Sequence, residues 1–326
     1  MYHTEQSLYQ IIASSVKDGC LPEDFSLPSE AGGETRIRFA DGARDGILLY
    51  HMGIQDMPRE DLEQMETAVK AACENRTSEA EELLLRLGQK HRALVMIDPL
   101  QNWLLAHKES LDGENLYRFG MYLLAFAEDT ELVKLGLSLL ELFRTEDHED
   151  LKTMVRTVGL SDEFTLFSLF VMMKWKDGNR EVFELAKKVT GWGRIHALER
   201  LNPENEEQEK WILTEGVHNT VLPAYSALTC WQKGRAEEVL RHLSSKEEYK
   251  GIRDIILALL DEGPVQGISA LENREEILLA FLKCAAEMGN EAEDYAAVRE
   301  IRSCSAGNAE IKEACDRILD KEAAAG

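Results

Sequence analysis

The densest set of residues able to do chemistry in this chain is Gly191-Trp192-Gly193-Arg194-Ile195-His196-Ala197-Leu198-Glu199-Arg200-Leu201. On a helix, Trp192, His196 and Arg200 fall four residues apart and share a face, while Ile195, Leu198 and Leu201 form the core-facing set. An aromatic ring, an imidazole and a guanidinium on one exposed face can hold a carboxylate, a phosphate or a peptide backbone. A plainer packing reading competes with this and is the stronger of the two. In it Trp192 is a buried staple, His196 and Arg200 cover a groove or pair with Glu199 and Glu204, and Arg194 orders the turn before the helix. His218 and Asn219, with Tyr225 and Trp231, form a second candidate patch. Helical period separates Asn219 from Tyr225 by about 240°, so these two cannot face one groove. His218 and Asn219 also suit a helix start, and Tyr225 and Trp231 suit packing. The candidate ligand- or partner-binding residues are therefore Trp192, Arg194, His196, Arg200, His218 and Asn219.

Other constellations resolve to ordinary roles. Glu146-Asp147-His148-Glu149-Asp150 has the residue types of a metal site, but adjacent residues point in different directions and no second histidine stands at ligand spacing. Acidic residues opening a helix explain it better. The loop Asp41–Gly46 lacks the spaced oxygens and terminal Glu of a calcium loop. The chain has no HExxH, P-loop, GxSxG or GxGxxG pattern, and no nucleophile–base pair can be named. No catalytic residue, metal or cofactor is expected. The six cysteines are widely spaced, without a CxxC, and read as buried thiols in a reducing compartment.

The elements that carry these residues follow from periodicity. Residues 5–17 hold a helical stripe of Leu8, Ile11, Ile12 and Val16 that ends at Asp18-Gly19. Thr35, Ile37 and Phe39 alternate with Arg36 and Arg38, and a second apolar run covers Ile47–Met52. Two Asp-Gly turn signals lie between them, so the pattern predicts one β-hairpin packed on helix 5–17. From Pro58 onward the chain predicts helix after helix: 59–74, 78–88, 91–107 with a break at Asp98-Pro99, 115–127, 131–144, 150–158 and 163–175. Shorter helices follow at 180–189, 194–201, 206–215, 218–231, 236–243, 252–261, 265–271, 275–288, 295–302 and 310–321. Residues 1–57 are thus expected as a small α+β region and residues 58–326 as a helical domain.

Many short helices joined by brief turns favour stacked hairpins, an α-solenoid, over a single bundle. The fold class is therefore mostly α, with a small N-terminal α+β cap containing one β-hairpin. The pairs Arg180–Val189 with Arg194–Leu201, and Glu206–Glu215 with His218–Thr229, resemble HEAT or armadillo repeats over residues 110–326. That family holds scaffolds, regulators and a few enzymes, and fold alone does not choose among them.

The chain carries 60 acidic and 37 basic side chains, a net charge of −23. Such a balance opposes DNA, RNA and anionic membranes, whose binding depends on Lys and Arg. The surplus is uneven, since residues 179–250 hold 11 basic and 12 acidic side chains. No secretory leader pattern and no membrane-length apolar run is present, so a cytoplasmic location is expected. Together these features predict a non-catalytic protein-interaction module, a scaffold, regulator or inhibitor of a basic protein or peptide partner. The alternative is a helical-repeat enzyme or nucleic-acid-binding protein resembling HEAT-like DNA glycosylases, which needs a basic groove that the acidity opposes.

Overall fold

A computed structural model of the chain describes residues 6–28, 39–263, 265–305 and 307–325. The described residues are mostly helical, with α1 at Leu8–Ser15 and α2 at Ala43–Ile47. A π-helical turn, Leu48–Met52, continues directly from α2. The contacts divide the chain into two compact units, Met1–Arg200 and Leu201–Gly326.

In the first unit, α3 (Arg59–Cys73) pairs with α4 (Thr77–Gly88), and α5 (Ala93–His107) packs on α7. The hairpin of α6 (Gly113–Phe126) and α7 (Thr130–Leu140) stacks on the α3–α4 hairpin, α6 on α3 and α7 on α4. Next come α8 (Glu149–Val158), α9 (Asp162–Met172), α10 (Gly178–Ala186) and α11 (Trp192–Arg200); α9 takes α7, α8 and α11 against it. Local signals start several helices. Ser7 and Gln10 form a reciprocal capping box at α1, Asp112 caps α6, and Asp129 accepts two backbone N–H bonds at α7.

The second unit contains α12 (Glu206–Glu215), α13 (Ala224–Lys233), α14 (Ala236–Arg241), α15 (Lys246–Leu260), α16 (Arg274–Met288), α17 (Ala292–Cys304) and α18 (Ala309–Ala325). Here α15 is central, meeting α12, α13, α14, α16 and α17, while α18 closes on α16 and α17. In both units helices pack mainly on helices near them in sequence, which is consistent with a helical-repeat architecture and fits an α-solenoid. No helix among the described residues is long and apolar enough to cross a membrane.

The expected β-hairpin is corrected. Ile47–Met52, the proposed second strand, is helical, and no strand occurs among the described residues beyond an isolated bridge between Lys17 and Cys20. Thr35 and Ile37 of the proposed first strand lie outside those residues. The reason lies in the run itself. Ile47-Leu48-Leu49-Tyr50-His51-Met52 is continuous rather than alternating, a pattern that periodicity cannot assign to strand over helix. The helical domain also contains differences. Helix α5 runs unbroken through Pro99 because one stripe, Leu94, Ile97, Leu100 and Leu104, is buried along its whole length. Residues 265–271 contain only a single 3-10 turn, Ile268–Ala270.

Candidate functional site

At the centre of the first unit a lysine is fully buried. Lys134 lies on α7 between Leu132-Val133 and Leu135, and a charge in such a place requires partners. Its ammonium has three donors, and three carboxylates accept from it. Asp45 Oδ2 of α2 lies 2.6 Å away, Glu131 Oε1 one turn back on α7 lies 3.3 Å away, and Glu163 of α9 is the third. Arg92, immediately before α5, contacts the same three acids. Its guanidinium is 3.1 Å from Asp45, 2.7 Å from Glu131 and 2.8 Å from Glu163. Backbone donors complete the node: Gly42 N–H donates to Glu163 at 2.6 Å, and Ala93 N–H at the start of α5 donates to Glu131.

The electrostatics follow from burial against pairing. Burial opposes the charge on Lys134 and Arg92, but the surrounding carboxylates outweigh it and hold both cations above their ordinary range. Asp45 and Glu163 stay below theirs because Lys134 and Arg92 outweigh their own desolvation. Glu131 is the deepest of the three acids, and there burial wins and raises its pKa. Lys134, held protonated, has no lone pair with which to act as base or nucleophile. The node is a clamp, joining α2, α5, α7 and α9.

Helix α11 covers the other side of α2. Trp192 is 4% exposed and His196 only 1%, so neither presents an open face. They stack on each other, and Tyr50 of the π-helical turn stacks on His196 and meets Trp192 at a tilt, with ring centroids 5.8–6.2 Å apart. Gly46 lets the α2 backbone lie against the Trp192 indole, where a Cβ would collide, and a Cβ at Gly42 would meet the Asp162 carbonyl oxygen. Both of these faces of α11 are therefore buried: Ile195 and Leu198 as the spacing predicts, and Trp192 and His196 beneath the 42–50 segment. The exposed-face expectation for Trp192 and His196 is corrected for this reason. Burial and the neighbouring Arg200 push the His196 imidazole down to about 3, so it is neutral, and its Nδ1 has no hydrogen-bond partner. Asp162 at the start of α9 accepts the Gly193 N–H at 2.7 Å; burial lifts its carboxyl to about 6.

The remaining candidates occupy three settings. Arg194 donates from Nε to the Val189 carbonyl at 2.8 Å and so ties the preceding turn to α11. Arg200 donates to the His196 carbonyl at 3.1 Å and lies over the Phe170 ring. His218 and Asn219 belong to the second unit, where His218 Nε2 lies 3.5 Å from Asp254. Asn219 Oδ1 accepts the N–H groups of Val221 and Leu222, building the turn that delays α13 to Ala224.

Sequence reasoning missed Asp45, Arg92, Glu131, Lys134 and Glu163. The signal was present at Lys134, a lone charge inside an apolar helix, with Glu131 three residues before it. Nothing local pointed to Asp45, 89 residues away from Lys134. Among the described residues no group of three or more His, Cys, Asp or Glu side chains could hold a metal ion. The clamp's consequence is at the surface. It fixes a segment whose outer side exposes Leu49, Met52 and Ile54, with Phe39 nearby in sequence. The segment includes a π-helical turn, a geometry frequent at functional positions.

The fold and clamp define an all-helical protein consistent with repeat architecture. Comparison with protein-family models, curated proteins and solved structures finds no match.

Proposed function

We propose that this chain is a non-catalytic, cytosolic protein-interaction module, built on HEAT- or armadillo-like repeats, that takes a basic protein partner. The observation that carries the reading is the exposure of Leu49, Met52 and Ile54 within six residues, Met52 at 66%, on a segment clamped from beneath by five charges, of which Asp45, Glu131 and Lys134 are buried. Flexible segments can fold apolar side chains away, but a fixed one leaves them in water until a partner covers them. Methionine suits such a surface because its thioether adapts to varied shapes. The net charge of −23 attracts a basic partner and raises the association rate. Lys134 and Arg92 are already paired with carboxylates, which weakens the nucleic-acid alternative further.

Co-purification from the native cells at low and moderate salt tests the reading, with Met52→Asp as the paired variant. A basic protein should be recovered with the wild type and at least tenfold less with the variant. Recovery of no partner at either salt, or equal recovery by both forms, contradicts it.

A further inference from the structure

Arg92, Arg253 and Arg200 are all withdrawn from solvent, and Arg200 is treated unlike the other two. The Arg92 side chain is 20% exposed and has three carboxylates within 3.1 Å. Arg253, on α15, is 9% exposed and lies 2.8 Å from both Asp254 and Asp294. Arg200 is 20% exposed, as Arg92 is, yet its nearest carboxylate among the described residues is Glu199, at 3.7 Å. That is beyond hydrogen-bonding distance. Of its five N–H donors, one has a partner, the His196 carbonyl at 3.1 Å. The guanidinium carbon lies over Phe170, 5.0 Å from the ring centroid, and a π face does not use up the N–H donors that a carboxylate would accept from. One turn earlier on α11 stands His196, nine-tenths buried and more, with an unpartnered Nδ1. Burial lowers the pKa of Arg200 because Glu199 and Tyr50 compensate too little, whereas acids raise those of Arg92 and Arg253.

We propose that Arg200 is the seat for the carboxylate of a ligand, received on the guanidinium donors that make no bond within the described residues. A planar guanidinium fork matches a carboxylate bidentately, and a partly desolvated pair of this kind is stronger than one in water. Charge selects carboxylate over phosphate. Glu199 next to the seat and the acidic chain as a whole repel a dianion more than a monoanion. The exposed fifth of the Arg200 side chain provides access. This assignment is distinct from the protein-binding reading because its seat is Arg200 on α11, although Tyr50 of the 49–54 segment packs on the same helix.

The test is a titration of the full chain followed through the arginine Nε–Hε NMR signals. The probes are benzoate, inorganic phosphate, and a neutral tetrapeptide with either a free or an amidated C-terminus. Benzoate, the free-acid peptide or both should move the Arg200 signal saturably, and the amidated peptide should not. Which of the two binds distinguishes a small organic acid from a chain terminus. Binding should weaken at least tenfold in Arg200→Gln, and also in Arg200→Lys, which keeps the charge but loses the fork. Non-saturating shifts in the wild type, or binding unchanged in both variants, would overturn the site. Phosphate binding more tightly than either carboxylate would overturn the ligand class. The wild-type signal is a readout that holds even if a variant folds poorly.

Discussion

The backbone of Gly46 lies directly against the indole of Trp192, so that a Cβ at Gly46 would sit 2.5 Å from both Cδ2 and Cζ3. Gly46 is inside α2, where glycine is otherwise a poor choice and alanine would gain about 0.5–1 kcal/mol. The contact reverses that sign. Gly46→Ala should destabilise the protein by about 1–3 kcal/mol in urea unfolding, because the rigid, buried indole has to move. A stabilised variant would show that the close approach is not maintained.

Lys134→Met should be among the most damaging substitutions in the first unit, at about 3–5 kcal/mol. It leaves Asp45, Glu131 and Glu163 facing Arg92 alone. Adding Asp45→Asn removes one of the stranded charges, so the double variant should lose less than the sum of the single losses. Thermal or urea melts of the four proteins give the cycle, and strict additivity would contradict a shared node.

The pH dependence separates His196 from its surroundings. The folded imidazole titrates at about 3, against an ordinary 6.5 in the unfolded chain. Below pH 6.5 the unfolded state therefore binds a proton that the folded state refuses, and stability falls with pH. Asp162 acts oppositely, since its folded carboxyl at about 6 takes up a proton before the unfolded one at 3.8 does. Between pH 6.5 and 5, His196→Phe should lose less stability than the wild type, with only the Asp162 gain remaining from this pair. Identical slopes in urea unfolding across that range would contradict the buried neutral imidazole.

In the second unit, Asp294 joins a cap to an ion pair. Its carboxylate accepts the N–H groups of Asn290 and Glu291 at 2.9 Å and holds Arg253 at 2.8 Å. Asp294→Ala should cost about 3 kcal/mol, through a lost helix cap and a half-stranded arginine. Asp294→Asn, which keeps one acceptor oxygen, should cost less.

Much of the helical pattern was legible, because helices that bury one stripe repeat their apolar residues at 3.6-residue spacing and end at Gly, Asn or Pro. The sharing of a face by Trp192, His196 and Arg200 was legible for the same reason. That the face is covered was not, because its cover comes from residues 42–50, and local periodicity carries no information about pairing across 150 residues of chain. The same limit hid the node. Glu131 and Lys134 are neighbours on α7, but Asp45, Arg92 and Glu163 meet them only in the folded state. Pro99 shows the converse case: a strong local break signal is overridden by burial along the whole of α5.

The most direct measurement of the central claim places a photo-crosslinking amino acid at position 52 in the native cells. A second chain carries it at position 82, where Glu82 on α4 is also exposed. The account predicts a discrete adduct to a basic protein from position 52, none from position 82, and loss of the adduct when Leu49→Asp is added. No adduct from position 52, or the same adducts from both positions, would contradict it.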